Sequence, residues 1–303
     1  MRRLSLLLLL LLAVGCKPDF GAPLSLITAP RLIAVRSDPA EAAPGAMVTM
    51  SALAASPGGA VTPAPAIDWS VCTTPKPIAE NGAVAASCLA AGGTTALADT
   101  AAPLPVVLPA NGCSLFGPEL PPETAGELLQ PRAPDITGGY FQPLRADFDG
   151  ATIALVRIRC ALPGASLAAA TAFAAQYTNN VNPTMTTISA TVDGATVALD
   201  ALPAGRAVVF TAGWTAASPE SYPVFDADTQ TLTTHREAMT VAWYANAGAF
   251  ATERSGRAEN DPALFASDTW TTPATAGAVH LWVVLSDDRG GVDFRDVALN
   301  VVN

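Results

Sequence analysis

Histidine is nearly missing from this chain: 303 residues hold only His235 and His280. A general base of the usual kind therefore has two candidates and no more. His235 falls in a polar stretch, "TLTTHREAM", and His280 alternates with Leu281 beside Trp282. Both read as surface or inter-domain residues. The motifs that mark other chemistries are missing too. There is no Gly-x-Ser-x-Gly elbow, no His-Glu-x-x-His and no Gly-x-x-x-x-Gly-Lys loop. A pair of glycosidase-type carboxylates would need no such motif, but nothing marks two particular acids. The expectation is a protein that is not an enzyme and carries no cofactor.

Positive charge is scarce as well. Lys and Arg total 16 against 26 Asp and Glu, and charged residues make up 14% of the chain. No basic run occurs. Nucleic acid and anionic head groups would repel such a chain, so nucleic acid is excluded as a partner. No two cysteines are spaced Cys-x-x-Cys and no histidine lies near one, which argues against a thiolate metal centre. Oxygen ligands do cluster in "DFDG" (Asp147–Gly150), "FDADT" (Phe225–Thr229) and "ENDP" (Glu259–Pro262). The first has only the opening of a calcium loop. Turns use Asp, Asn and Gly for their own backbone reasons, so no metal is expected.

What is present begins at the N-terminus. Arg2 and Arg3 precede an apolar stretch from Leu4 to Val14, broken only by Ser5. A bilayer-spanning helix needs about 20 apolar residues, so this run is too short. It fits the hydrophobic region of a secretory signal. The run ends Ala13-Val14-Gly15-Cys16 and then turns polar at Lys17-Pro18-Asp19. That ending resembles the lipobox of bacterial lipoproteins, although the family prefers Leu where Ala13 stands. The resemblance implies that residues 1–15 are removed and that Cys16 is acylated on its thiol and its new amino group. Several acyl chains make a stable anchor where one is marginal. The chain would then be lipid-anchored in a bacterial cell envelope, with the membrane as a partner through its lipid. Lys17 after the cysteine resembles outer-membrane sorting.

The chain from Cys16 to Asn303 has 288 residues, with 14 basic and 26 acidic, a formal charge of −12. Its length suggests about two domains at roughly 150 residues each. It keeps four cysteines, Cys72, Cys88, Cys113 and Cys160. An even number in an exported chain reads as two disulfides, with three possible pairings. Strand faces favour Cys72–Cys88 and Cys113–Cys160. On the strand holding Ile67, Trp69 and Val71, Cys72 is expected to face outward or begin a loop. Cys160 shares a face with Val156 and Ile158.

Two stretches read alike. "PGAMVTMSALAA" (Pro44–Ala55) leads to "AIDWSVC", and "PAGRAVVFTAGW" (Pro203–Trp214) leads to "TVAWYANAG". Each is a Pro/Gly turn, a period-two strand, and a later strand centred on a tryptophan, Trp69 or Trp243. A buried tryptophan on the third strand is a hallmark of immunoglobulin-like sandwiches. The tail "AVHLWVVLSDDRGGVDFRDVALNVV" predicts a hairpin with a five-residue loop, Asp287–Gly291. That loop sets Leu281 opposite Val297 on the inner face and Trp282 opposite Asp296 on the outer face. "WTTPATAGAVHLWVVLSDDRGG" and "WYANAGAF" resemble strands of bacterial immunoglobulin-like and PKD-like domains. The resemblance implies a sandwich over about Met185–Asn303 and is nearly silent on function.

The expected fold is mostly β. A membrane-proximal linker, 16–30, precedes a first antiparallel Ig-like sandwich, 31–163, with a long Pro/Gly-rich insertion over about 73–150. A helical linker, 164–183, with a helix from Ser166 to Tyr177, leads to a second sandwich, 184–303. Further short strands are expected in the insertion, one near Leu104–Leu108. Loop aromatics are the candidate binding residues: Tyr140 and Phe141 in the first insertion, Tyr222 and Phe225 in the segment from Trp214 to Thr240. Trp282 joins them from the outer face of the last hairpin. Expected partners are another envelope protein or a glycan.

Overall fold

The computed structural model describes residues 22–61, 64–75, 84–97, 100–115, 117–119 and 136–303. The signal segment and Cys16 lie outside the described residues. Alternating apolar residues build two successive β-sandwiches. The first uses β1 (Arg31–Asp38), β2 (Glu41–Ala42), β3 (Met47–Ser56), β4 (Gly59–Ala60), β5 (Ala66–Cys72), β6 (Thr94–Ala96), β7 (Thr100–Ala101), β8 (Leu104–Val107), β9 (Gly139–Asp147) and β10 (Ala151–Arg159). Strand β3 pairs β1, β4 and β8 in one sheet. The facing sheet runs β2-β10-β9-β5-β6, with β7 also on β5.

The second sandwich uses β11 (Met185–Val192), β12 (Ala195–Val197), β13 (Leu202–Pro203), β14 (Ala207–Trp214), β15 (Ser221–Asp226), β16 (Thr231–Arg236), β17 (Met239–Ala245), β18 (Ala249–Phe250), β19 (Arg254–Arg257), β20 (Phe265–Thr271), β21 (Gly277–Asp287) and β22 (Val292–Val302). Its sheets are β12-β11-β14-β20-β18 and β13-β22-β21-β17-β19, with β15–β16 a separate hairpin.

The repeat read from the sequence extends through the topology. Strands β1, β3 and β8 pair as β11, β14 and β20 do. Strands β5, β9 and β10 pair as β17, β21 and β22 do. In both sandwiches a two-residue strand, β2 or β13, lies parallel to the last strand. Both marker tryptophans, Trp69 and Trp243, are fully buried. In the second core Trp243 and Trp270 enclose Phe210, and Trp243 donates from Nε1 to Ser255 Oγ at 2.9 Å.

The connecting helix runs Leu167–Gln176. Ser166 caps it by accepting from Ala169 N–H at 3.2 Å, and Phe173 packs on Tyr177 as the i, i+4 spacing predicts. Strand β8 falls on the short strand expected near Leu104–Leu108. The insertion also holds β9, which is not a loop but a central strand between β10 and β5. Likewise the polar stretch around His235 is β16, paired to β15.

Cys113 and Cys160 form the expected disulfide. Cys72 and Cys88 do not; they are free thiols. Cys72 lies opposite the Trp69 face, as alternation requires, yet it is fully buried there beneath the short helix Ala86–Leu89. The two thiols lie in contact, and burial, then Cys88, pushes the Cys72 thiol well above the ordinary range.

Candidate functional site

Strand β1 belongs to the first sandwich but lies along β22 of the second, and β4 meets β21. The hairpin register is the one read from the sequence: Leu281 opposes Val297 and Trp282 opposes Asp296. Leu281 faces the core of the second sandwich. Trp282 faces away from that core, but it is not an exposed partner site. It is fully buried against Ile27 and Ala55, with Ile33, Leu53 and Tyr244 around it. The outer face of the hairpin is the seam between the two sandwiches.

Each end of the seam has its own fastening. At one end the segment before β1 forms a strap. Ala245 N–H donates to Ser25 O at 2.9 Å and Ile27 N–H to Ala245 O at 2.8 Å, so residues 25–27 extend the β17 edge. Asn246 bridges the two sandwiches there, donating to Pro57 O and accepting from His280 N–H, each at 2.9 Å. The His280 ring stacks on Trp282 and closes against Gly59.

At the other end the connector Tyr177–Asn182 is held by a buried polar clamp. Glu41 of the first sandwich accepts from Tyr177 Oη, from Arg157 Nε at 3.3 Å and from Asn180 N–H at 2.9 Å. Asn180 Nδ2 donates onward to Asp287 Oδ1 at 3.2 Å. Arg289, 2% exposed, is the hub on the second sandwich. It donates to Glu237 at 2.6 Å, Glu220 at 2.9 Å and Thr178 O at 3.1 Å, and lies 4.8 Å over the Tyr222 ring. Asn182 ties Ser37 O to Val292 N–H, and Arg36 pairs with Asp293 at 3.4 Å.

The clamp's electrostatics are lopsided. Four carboxylates, Glu41, Glu220, Glu237 and Asp287, share two guanidiniums, Arg157 and Arg289. Burial and the neighbouring Asp287 push the Glu237 carboxyl up to about 8, against the pull of Arg289 and of Glu220 N–H. Burial also raises Asp287, against three N–H donors. At the rim, burial raises Asp288, whose carboxylate accepts from Ala238 N–H.

The candidate aromatics divide around this clamp. Tyr222 and Phe225 are buried in the β15–β16 hairpin and pin it rather than project from it. Phe141 is half-buried on β9, with the Arg157 guanidinium 5.7 Å from its ring, and its ring abuts Gly290 of the second sandwich. Tyr140 alone of the four stays exposed. Sequence reasoning missed the clamp residues. Their signal was present only as isolated acids and arginines, Arg157 on an expected strand and Arg289 in the expected hairpin loop.

The acidic turns serve themselves. Asp147 accepts from Gly150 N–H, Asp226 from Asp228 and Thr229, and Asp261 from Ala263. His235 pairs with Glu259 at 2.9 Å on the surface. A cleft of about 740 Å³ opens between the Cys113–Cys160 disulfide and the connecting helix, lined by Leu162, Phe173, Tyr177, Arg159 and Glu119. Glu119 is engaged there by Ala161 N–H at 3.1 Å.

No family model matches the chain, and no characterised protein matches it by sequence. Similar solved structures include a Salmonella alpha-2-macroglobulin at 10% identity, covering 94% of this chain and 15% of that one, with a TM-score of 0.25. An E. coli alpha-2-macroglobulin in its native conformation matches at 12% identity over 90% of this chain and 17% of its own, TM-score 0.25. The Yersinia pseudotuberculosis adhesin InvE matches at 12% identity over 92% and 61%, TM-score 0.23. The chain thus spans less than two thirds of each. At these scores the likenesses carry no argument about function.

Proposed function

We propose that this is a lipid-anchored protein of the bacterial cell envelope, held at the outer membrane through Cys16, that acts by contact and not by catalysis. Adhesion, scaffolding or service as an accessory subunit of an envelope complex all fit that description. One observation carries the reading. The buried charged side chains Glu41, Arg157, Glu237, Asp287 and Arg289 are spent on fastening two sandwiches together. A stiff two-sandwich body presents fixed faces to a partner, and such faces carry recognition on a β scaffold.

The test is fractionation joined to in-cell cross-linking. Wild-type protein should partition with the outer membrane and cross-link to a defined envelope partner. Cys16→Ala should accumulate as precursor or as released protein and lose that cross-link. Normal membrane retention of Cys16→Ala would sink the anchor. Binding to purified polysaccharide or peptidoglycan would favour a glycan-binding module instead. Hydrolysis of a substrate panel, lost on substituting a carboxylate, would favour a hydrolase.

A further inference from the structure

The clamp carries an inference beyond anchoring and contact. Its parts come from three elements: Glu41 and Arg157 from the first sandwich, Tyr177–Asn182 from the connector, and Glu220, Glu237, Asp287 and Arg289 from the second sandwich. Glu41, Glu237, Arg157, Asn180, Asp287 and Arg289 are each more than nine-tenths buried. With every acid ionised, these buried residues would hold one more negative charge than positive ones, and the partly buried Glu220 adds a second. Unpaired charge in such a setting is strongly unfavourable. Taking up a proton is the ordinary way out.

We propose that the clamp is a proton-gated fastening, closed when Glu237 and Asp287 together retain a proton and loosened when that proton leaves. The gating acts on the seam rather than on either core, because the clamp's bonds run through the connector. The groups that set the proton's hold face Glu237 from all sides. Arg289 comes from the β21–β22 turn and Asp287 from the end of β21, Glu220 from the strand lead-in before β15, Tyr222 from β15, and Asp288 from the turn's rim. Glu41 and Arg157 complete the set across the seam. Burial raises both Glu237 and Asp287, which agrees with a retained proton. When one proton is lost on opening, the closing equilibrium falls about tenfold per pH unit above the gating pH.

The experiment measures the distance between spin labels placed one on the outer surface of each sandwich, in the full chain, from pH 5.5 to 9.5. Wild type should show one narrow distance at low pH. The distribution should broaden with a midpoint within about one unit of the Glu237 value of about 8. Glu237→Gln keeps an acceptor for Arg289 without the titrating charge, so its distribution should stay narrow throughout. Asp287→Asn likewise removes one charge, so its distribution should also stay narrow through the wild-type midpoint, and it covers the case in which Glu237→Gln fails to fold. Glu259→Gln, on the surface, should follow wild type. A wild-type distribution unchanged across the range, or Glu237→Gln and Asp287→Asn both broadening at the wild-type midpoint, overturns the proposal.

Discussion

At the scale of single residues, Trp282 and Gly59 make the sharpest tests. Leu281→Ala and Trp282→Ala point to opposite sides of β21, yet both should be costly. Leu281 leaves a cavity in the second core, worth about 2–5 kcal/mol, and Trp282 a cavity in the seam, worth about 3–5 kcal/mol. Denaturant titration of both variants checks this; a Trp282→Ala cost near 0.5 kcal/mol would mean a bare outer face. Gly59 sits at φ +109°, and a Cβ there would lie 2.4 Å from His280 Nε2. Gly59→Ala must strain its backbone or displace that ring from Trp282, and should cost about 1–3 kcal/mol by the same assay. Alternation assigned the two faces of β21 correctly because side chains flip at every step. It could not say that a second sandwich covers the outer face. The sign of that cover was legible in one respect: Trp282, Val284 and Phe294 are apolar on a face that water would otherwise wet.

At the scale of elements, the clearest differences lie in β9 and around Cys72. Strand β9 begins at a Gly-Gly pair, carries Pro143 and buries Gln142 and Arg145, so it has neither the composition nor the polarity of a strand. The nitrogen donors of Gln142 and Arg145 find acceptors outside the ladder. Gln142 donates to Cys72 O, and Arg145 donates to Leu89 O. Strands β15 and β16 escaped notice in the same way, through Pro223 and a run of threonines. Cysteine arithmetic assumes that exported cysteines pair, whereas the structure buries Cys72 and Cys88 as thiols. Non-reducing peptide mapping should link Cys113 to Cys160 and leave Cys72 and Cys88 open to alkylation, but only after unfolding. A Cys72–Cys88 crosslink in purified protein would contradict that arrangement. The helix Leu167–Gln176 and the β21–β22 hairpin, by contrast, were readable almost residue by residue, because cap, spacing and turn are local signals.

At the scale of the whole molecule, proton linkage and the strap set the behaviour. An ordinary glutamate titrates at 4.5, and Glu237 in the fold at about 8. Between those values the folded chain holds a proton that the unfolded chain has released. Stability is therefore greatest below about 4.5 for this group and declines as pH rises towards 8. Thermal melts from pH 5 to 8 should show a falling Tm, and Glu237→Gln should flatten the slope; equal slopes would assign it to other groups. A mostly β build followed from the doubled turn–strand–tryptophan pattern. The seam did not, because its clamp joins residues as far apart as Glu41 and Asn180. The strap adds a mechanical consequence. Ile27 lies eleven residues after Cys16, so an acylated Cys16 would hold the protein on a leash of at most about 40 Å at roughly 3.6 Å per residue. Tension on that leash enters at the strap end of the seam, while the clamp sits at the far end. The strap's few bonds would be loaded one after another, as in unzipping, with the Arg289 end the last to part. The same two sandwiches pulled apart across the seam would load both ends at once, so the molecule would resist a pull across the seam better than one entering through an acylated Cys16.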